Sequence, residues 1–141
     1  MQTVLFLALG KLGIPMLTAL VATILIVTCC SPIQEGADLT VKQAVEMVRK
    51  DTSLILVDVR TPEEYHQGHI RGSRLMNYYE AGFHSQLETL PKDKHVIFYC
   101  RTGRRSAEAR EYLSSIGYSR VHNMLGGINA WKKDRQPVIE P

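Results

Sequence analysis

Acidic side chains are missing from the first 34 residues. All fourteen Asp and Glu lie from Glu35 onward, and Lys11 is the only charged side chain before that point. Cysteine is scarce as well, with three in 141 residues. An odd count, with Cys29 and Cys30 adjacent, fits neither a paired disulfide scaffold nor the spacings that grip zinc. Basic blocks interleaved with aromatics are lacking too, and a formal charge of +3 is small, so nucleic acid is not an expected partner. There is no internal repeat and no low-complexity run. A composition of 45% hydrophobic and 22% charged residues belongs to a folded domain, and the length leaves room for one.

What is present divides sharply near residue 34. Leu12 to Thr28, "LGIPMLTALVATILIVT", carries no charge, and "VLFLALG" precedes it. A run this uniformly apolar has no polar face to offer as a core helix. It fits a long signal-peptide core or a short membrane span. Residues 1–34 are therefore expected to form a signal peptide or N-terminal membrane anchor, and residues 35–141 the domain. The positive amino end and Lys11 on one side, with Glu35 and Asp38 on the other, favour a domain outside the inner membrane. In a Gram-negative cell that is the periplasm. The stretch "IVTCC" resembles a bacterial lipoprotein cleavage site, which implies lipidation at Cys29 or Cys30. Thr28 or Cys29 in the preceding position departs from the small residues usual there.

The remaining sequence alternates strand and helix patterns. Thr40 with Gln43 predicts a capping box, and Val41, Ala44, Val45 and Val48 follow helical spacing behind it. "LILVDV" (54–59) and "HVIFY" (95–99) are apolar runs of the kind buried on both faces of a parallel sheet. "TPEEYHQG" predicts a short helix with Thr61 as cap, Pro62 first and Gly68 as its stop. Further helices are expected over about 81–90, from near Ser106 to Gly117, and over "INAWKK", with a strand near "RVHNM". The fold class that follows is α/β, a small parallel sheet covered by helices on both faces.

Cys100 ends one of those strands, where ligands collect in open parallel sheets. The loop behind it turns into a helix, which aims backbone N–H groups and a positive helix terminus inward. Arg101, Arg104 and Arg105 add full charges. Together these are expected to lower the thiol from about 8.5 into the range of roughly 3.5 to 7.5 found for activated cysteines. The competing reading is a buried structural cysteine.

Three stretches, in order, resemble the rhodanese family of single-domain sulfurtransferases: "DVRTPEEYHQGHIRGSRLMNY" (58–78), "CRTGRRS" (100–106) and "GYSRVHNMLGGINAWKKDRQPV" (117–138). The likeness covers about residues 38–140. It implies the rhodanese-like fold, with the active-site loop at a strand carboxyl end. It also implies sulfur transfer through a Cys100 persulfide, from thiosulfate or a persulfide donor to cyanide or a thiol, without a cofactor or metal. Arg101, Thr102, Gly103, Arg104 and Arg105 are the expected substrate-binding residues, with Arg105 also a candidate to steady the loop. Asp58, Arg60 and Ser106 are expected to support that loop. The six-residue loop, Cys100 to Arg105, is shorter by one than that of the related dual-specificity phosphatases, and Tyr99 stands where they usually carry His. Two alternatives to the sulfurtransferase remain: a non-enzymatic persulfide carrier or partner-binding module fed by a sulfur-relay protein, and a phosphatase. His66 and His69 lack the acidic or cysteine partners that a metal site needs, and are expected to serve a turn. Gly126-Gly127 matches no phosphate-binding pattern and reads as a tight turn, with Trp131 packing on the core.

Overall fold

The computed structural model describes residues 36–140. The expectations for residues 1–34, including lipidation at Cys29 or Cys30, lie outside the described residues. No helix among the described residues is long and apolar enough to cross a membrane.

The elements are β1 (Asp38–Leu39), α1 (Val41–Lys50), β2 (Ile55–Asp58), α2 (Pro62–His66), β3 (Arg74–Leu75), α3 (Phe83–Glu88), β4 (Val96–Tyr99), α4 (Arg104–Ser115), β5 (Val121–Met124) and α5 (Gly127–Lys133). The five strands form one parallel sheet in the order β1-β5-β4-β2-β3. β4 is central, with Val57 opposite Phe98 on one side and Ile97 opposite His122 on the other.

The continuous apolar runs follow from this arrangement. Successive side chains of a strand point to opposite faces, and here both faces are covered. Ile55, Val57, Val96, Phe98 and Val121 pack with Phe83, Leu87, Ala109 and Leu113 under α3 and α4. Leu56, Ile97, Tyr99 and Met124 pack with Val41, Ala44, Met47, Ile128 and Trp131 under α1 and α5.

The predicted capping box of Thr40 with Gln43 forms, and Thr61 caps its helix as expected, in a second box with Glu64. Other details differ from expectation. Val48 is 37% exposed, because the stripe of α1 facing the sheet runs through Val41, Ala44 and Met47. The helix expected over 81–90 is confined to Phe83–Glu88. β1 and β3 have two residues each, too short to leave a pattern. α4 starts at Arg104, two residues ahead of Ser106, because Gly103 takes φ +101° and turns the chain into the helix early.

Candidate active site

Tyr99 and Cys100 are neighbours in sequence but point to opposite layers. The Tyr99 hydroxyl accepts a hydrogen bond from the Ile70 amide at 3.1 Å and shares one with the Ser73 hydroxyl at 3.0 Å. Burial, reinforced by the charge of Asp58, pushes its phenol far above the ordinary value, so it stays neutral. Cys100 turns instead into the layer beneath α4, where the residue is 1% exposed.

The Cys100 sulfur accepts the Gly103 N–H at 3.1 Å and the Ser106 hydroxyl at 3.5 Å. Burial alone would raise the thiol's pKa. Hydrogen bonds from the Ser106 hydroxyl and from the Ser106, Thr102 and Gly103 amides outweigh it, and the pKa lies below the ordinary value. Expectation had assigned this lowering to arginine charge as much as to the loop. The structure gives the leading part to the hydroxyl and the amides.

Each arginine has its own setting. Arg104 is exposed and pairs with Glu108 one turn further along α4, at 2.8 Å. Arg105 is largely buried, with its Nη2 2.9 Å from both carboxylate oxygens of Glu64 and its guanidinium 5.6 Å from the Tyr79 ring centroid. Arg101 is exposed and has no carboxylate partner among the described residues. A pocket of about 380 Å³ opens above the thiol, walled by Arg101, Thr102, Arg104 and Arg105 on the loop side and by Glu64 and Tyr79 opposite. Gly103 is buried beside the backbone of Gly126 and Leu125 and contributes its amide rather than pocket wall.

Asp58 and Arg60 form a buried ion pair at 2.6 Å, and Arg60 also donates to the Gly68 carbonyl at 2.8 Å. They tie the carboxyl end of β2 to the turn after α2. Neither makes a hydrogen bond to residues 100–106 among the described residues. Ser106, expected behind the loop, has its hydroxyl on the sulfur itself.

The Gly126-Gly127 pair does bear on the site. The Ile128 amide donates to the Cys100 carbonyl at 2.9 Å, and the Asn129 amide donates to the Arg101 carbonyl at 3.2 Å. A Cβ at Gly127 would lie 2.2 Å from the Cys100 carbonyl oxygen, so only glycine lets α5 come this close. His66 and His69 bond the carbonyls of Pro62 and Tyr65, and His69 stacks on Tyr65 with ring centroids 3.8 Å apart.

Sequence reasoning missed Glu64 and Tyr79. Glu64 carries a signal, as the third helical residue after a Thr cap, but that signal speaks of the cap and not of the pocket. Tyr79 carries none.

Comparison with known proteins bears on the same segment. The family model described as "Rhodanese-like domain" matches residues 40–134. A sulfurtransferase of Allochromatium vinosum is 40% identical over 88 residues, which cover 62% of this chain and 80% of that protein. The thiosulfate sulfurtransferase GlpE of Pseudoalteromonas translucida is 34% identical over 103 residues, covering 72% of this chain and 94% of that one. The crystal structure of a rhodanese-related protein from Thermoplasma volcanium superposes with a TM-score of 0.65 at 28% identity, covering 74% of this chain and 99% of its own.

Proposed function

This chain belongs to the rhodanese-like domain family, whose sulfurtransferase members support sulfur transfer as its activity, and we propose that Cys100 carries the sulfur. The observation that supports this most is the Cys100 sulfur itself, buried at the pocket floor and facing hydroxyl and amide donors.

The donor in this proposal is thiosulfate or a persulfide. Cys100 thiolate attacks the outer sulfur, the bond between the two donor sulfurs breaks, and sulfite or a thiolate departs with the electron pair. The enzyme is left as a Cys100 persulfide, its terminal sulfur anionic. Donors of the loop oppose that charge, as they do that of the thiolate. Cyanide or a thiol then attacks the terminal sulfur, and the bond to Cys100 breaks. Thiocyanate or a new persulfide leaves, and Cys100 thiolate is restored. This is covalent catalysis with ping-pong kinetics. Arg101, Arg104 and Thr102 line the donor's approach, Gly103 supplies an amide, and Arg105 holds the loop through Glu64. Asp58 and Arg60 brace the turn after α2.

A six-residue loop favours a single sulfur over a tetrahedral phosphate, and Tyr99, turned to the other layer, offers the pocket no acid or base. The same proposal takes residues 1–34 as a signal peptide or membrane anchor, with Cys29 or Cys30 as a lipidation site. It places the domain outside the cytoplasm, on the charge asymmetry across the apolar run.

Intact-mass spectrometry tests the central step. Incubation with thiosulfate should add the mass of one sulfur atom at Cys100, and cyanide should remove it as thiocyanate. No gain in mass with thiosulfate or an organic persulfide overturns the reading. A persulfide that forms without turnover makes the domain a sulfur carrier instead.

A further inference from the structure

Glu64 is the one carboxylate lining the pocket, and the steps above give it no chemistry of its own. Its carboxylate does two jobs. It accepts the Thr61 N–H at 3.1 Å to close the cap of α2, and it holds Arg105 Nη2 at 2.9 Å through both oxygens. Burial works against ionisation. Hydrogen bonds from the Thr61 amide and Arg105 prevail and hold the carboxyl below its ordinary range, so it is charged at neutral pH.

The cap does not require that charge, since a capping box closes equally with Gln. Gln keeps one oxygen that can accept from Thr61 and Arg105, while an NH2, which cannot accept, replaces the other. The charge matters for the balance of the mouth. Arg104 is offset by Glu108 and Arg105 by Glu64, which leaves Arg101 as the pocket cation without a carboxylate partner among the described residues. Three arginines therefore present a field nearer that of one. A dianion gains about twice as much as a monoanion from a given positive field, so each cancelled cation costs the dianion more.

We propose that Glu64 is a positioning and specificity residue: by neutralising Arg105 in place, it keeps the pocket from favouring dianions such as thiosulfate and shifts preference toward donors of lower charge, the persulfides of small thiols. The donor class rests on the sulfur-transfer reading, whereas the charge balance does not.

The test is Glu64→Gln in the full chain, which keeps the cap and removes the charge. Iodoacetamide alkylation is followed at the Cys100 peptide by mass spectrometry, with sulfate as an unreactive dianion and methanesulfonate as an unreactive monoanion. Neither probe requires turnover, so the result stands even if no sulfur is transferred. The variant should bind sulfate roughly two- to fivefold more tightly, judged by protection of Cys100. Methanesulfonate should gain less, and the gain should fade near 1 M salt. The alkylation midpoint should move down, since one negative charge has left the thiolate's surroundings. With thiosulfate as donor, KM should fall while kcat changes less.

Weaker protection by both anions, with a midpoint moving up, would mean that Glu64 merely holds the loop and would overturn the proposal. Unchanged protection and midpoint would overturn it equally. Should the Gln variant fail to fold, Arg101→Gln and Arg104→Gln decide. Loss of sulfate protection must be greater for Arg101 than for Arg104, and equal losses sink the charge balance.

Discussion

The Ser106 hydroxyl points at the Cys100 sulfur from 3.5 Å, out of the first turn of the helix that follows the loop. Serine is a neutral donor, yet the thiolate depends on it more directly than on the exposed Arg101 and Arg104, because it meets the sulfur inside the protein. Exposed guanidinium groups act through water, where salt screens them. Ser106→Ala should therefore raise the Cys100 pKa, because a hydrogen bond to the charged form is lost. Arg104→Ala should move it much less. The pH dependence of alkylation measures both, with the thiolate fraction at neutral pH falling as the pKa rises.

Cys100→Ser should abolish sulfur transfer, since a hydroxyl is a far poorer nucleophile than a thiolate. The fold should survive, because oxygen can accept the same Gly103 amide and only about 1 kcal/mol of stability is at stake. Thiosulfate:cyanide turnover together with urea denaturation separates the two effects. Changing Cys29 and Cys30 to Ser should leave turnover of the domain intact.

Asp58→Ala strands Arg60, which is 5% exposed, beside an aromatic ring and one carbonyl. Breaking one side of a buried ion pair costs about 3–5 kcal/mol. Urea denaturation should show a loss of that size. Replacing both residues together by apolar ones of similar volume should recover most of it, because no uncompensated charge then remains.

The sequence makes β2, β4 and β5 and the Thr40 capping box legible, since buried strands and the Thr–x–x–Gln spacing leave local marks. β1 and β3 escape because two residues cannot carry a pattern, and they exist through pairing with β5 and β2. The loop is legible as basic. The fate of its charges is not, since Arg105 finds its carboxylate 41 residues away in the chain. Val48 misleads for a related reason: helical spacing shows a stripe, but the neighbouring sheet decides which edge of the stripe is covered.

Gly127→Ala should damage the site although it removes no functional group. The added Cβ would collide with the Cys100 carbonyl at 2.2 Å, at a residue whose φ is +55°. The chain must give way, at a cost of about 2 kcal/mol or more. Turnover should fall further than stability, because the displaced backbone carries the nucleophile. Gly117→Ala is a fair control: its φ is +89°, but nothing lies within 4 Å of its Cβ position, so stability should fall and turnover of the folded fraction should hold.

The bonds from Ile128 and Asn129 to the Cys100 and Arg101 carbonyls also set an order of events. Translation at about 5–20 residues per second makes Cys100 one to several seconds before the amide that anchors it. Through that interval β4 can pair with β2, and β5 follows, but α5 is absent and the Cys100 and Arg101 carbonyls have no amide to close against. The reactive thiol is thus among the last features of the domain to acquire its setting. A chain broken off before residue 128 would contain every residue of the loop and still lack its back wall.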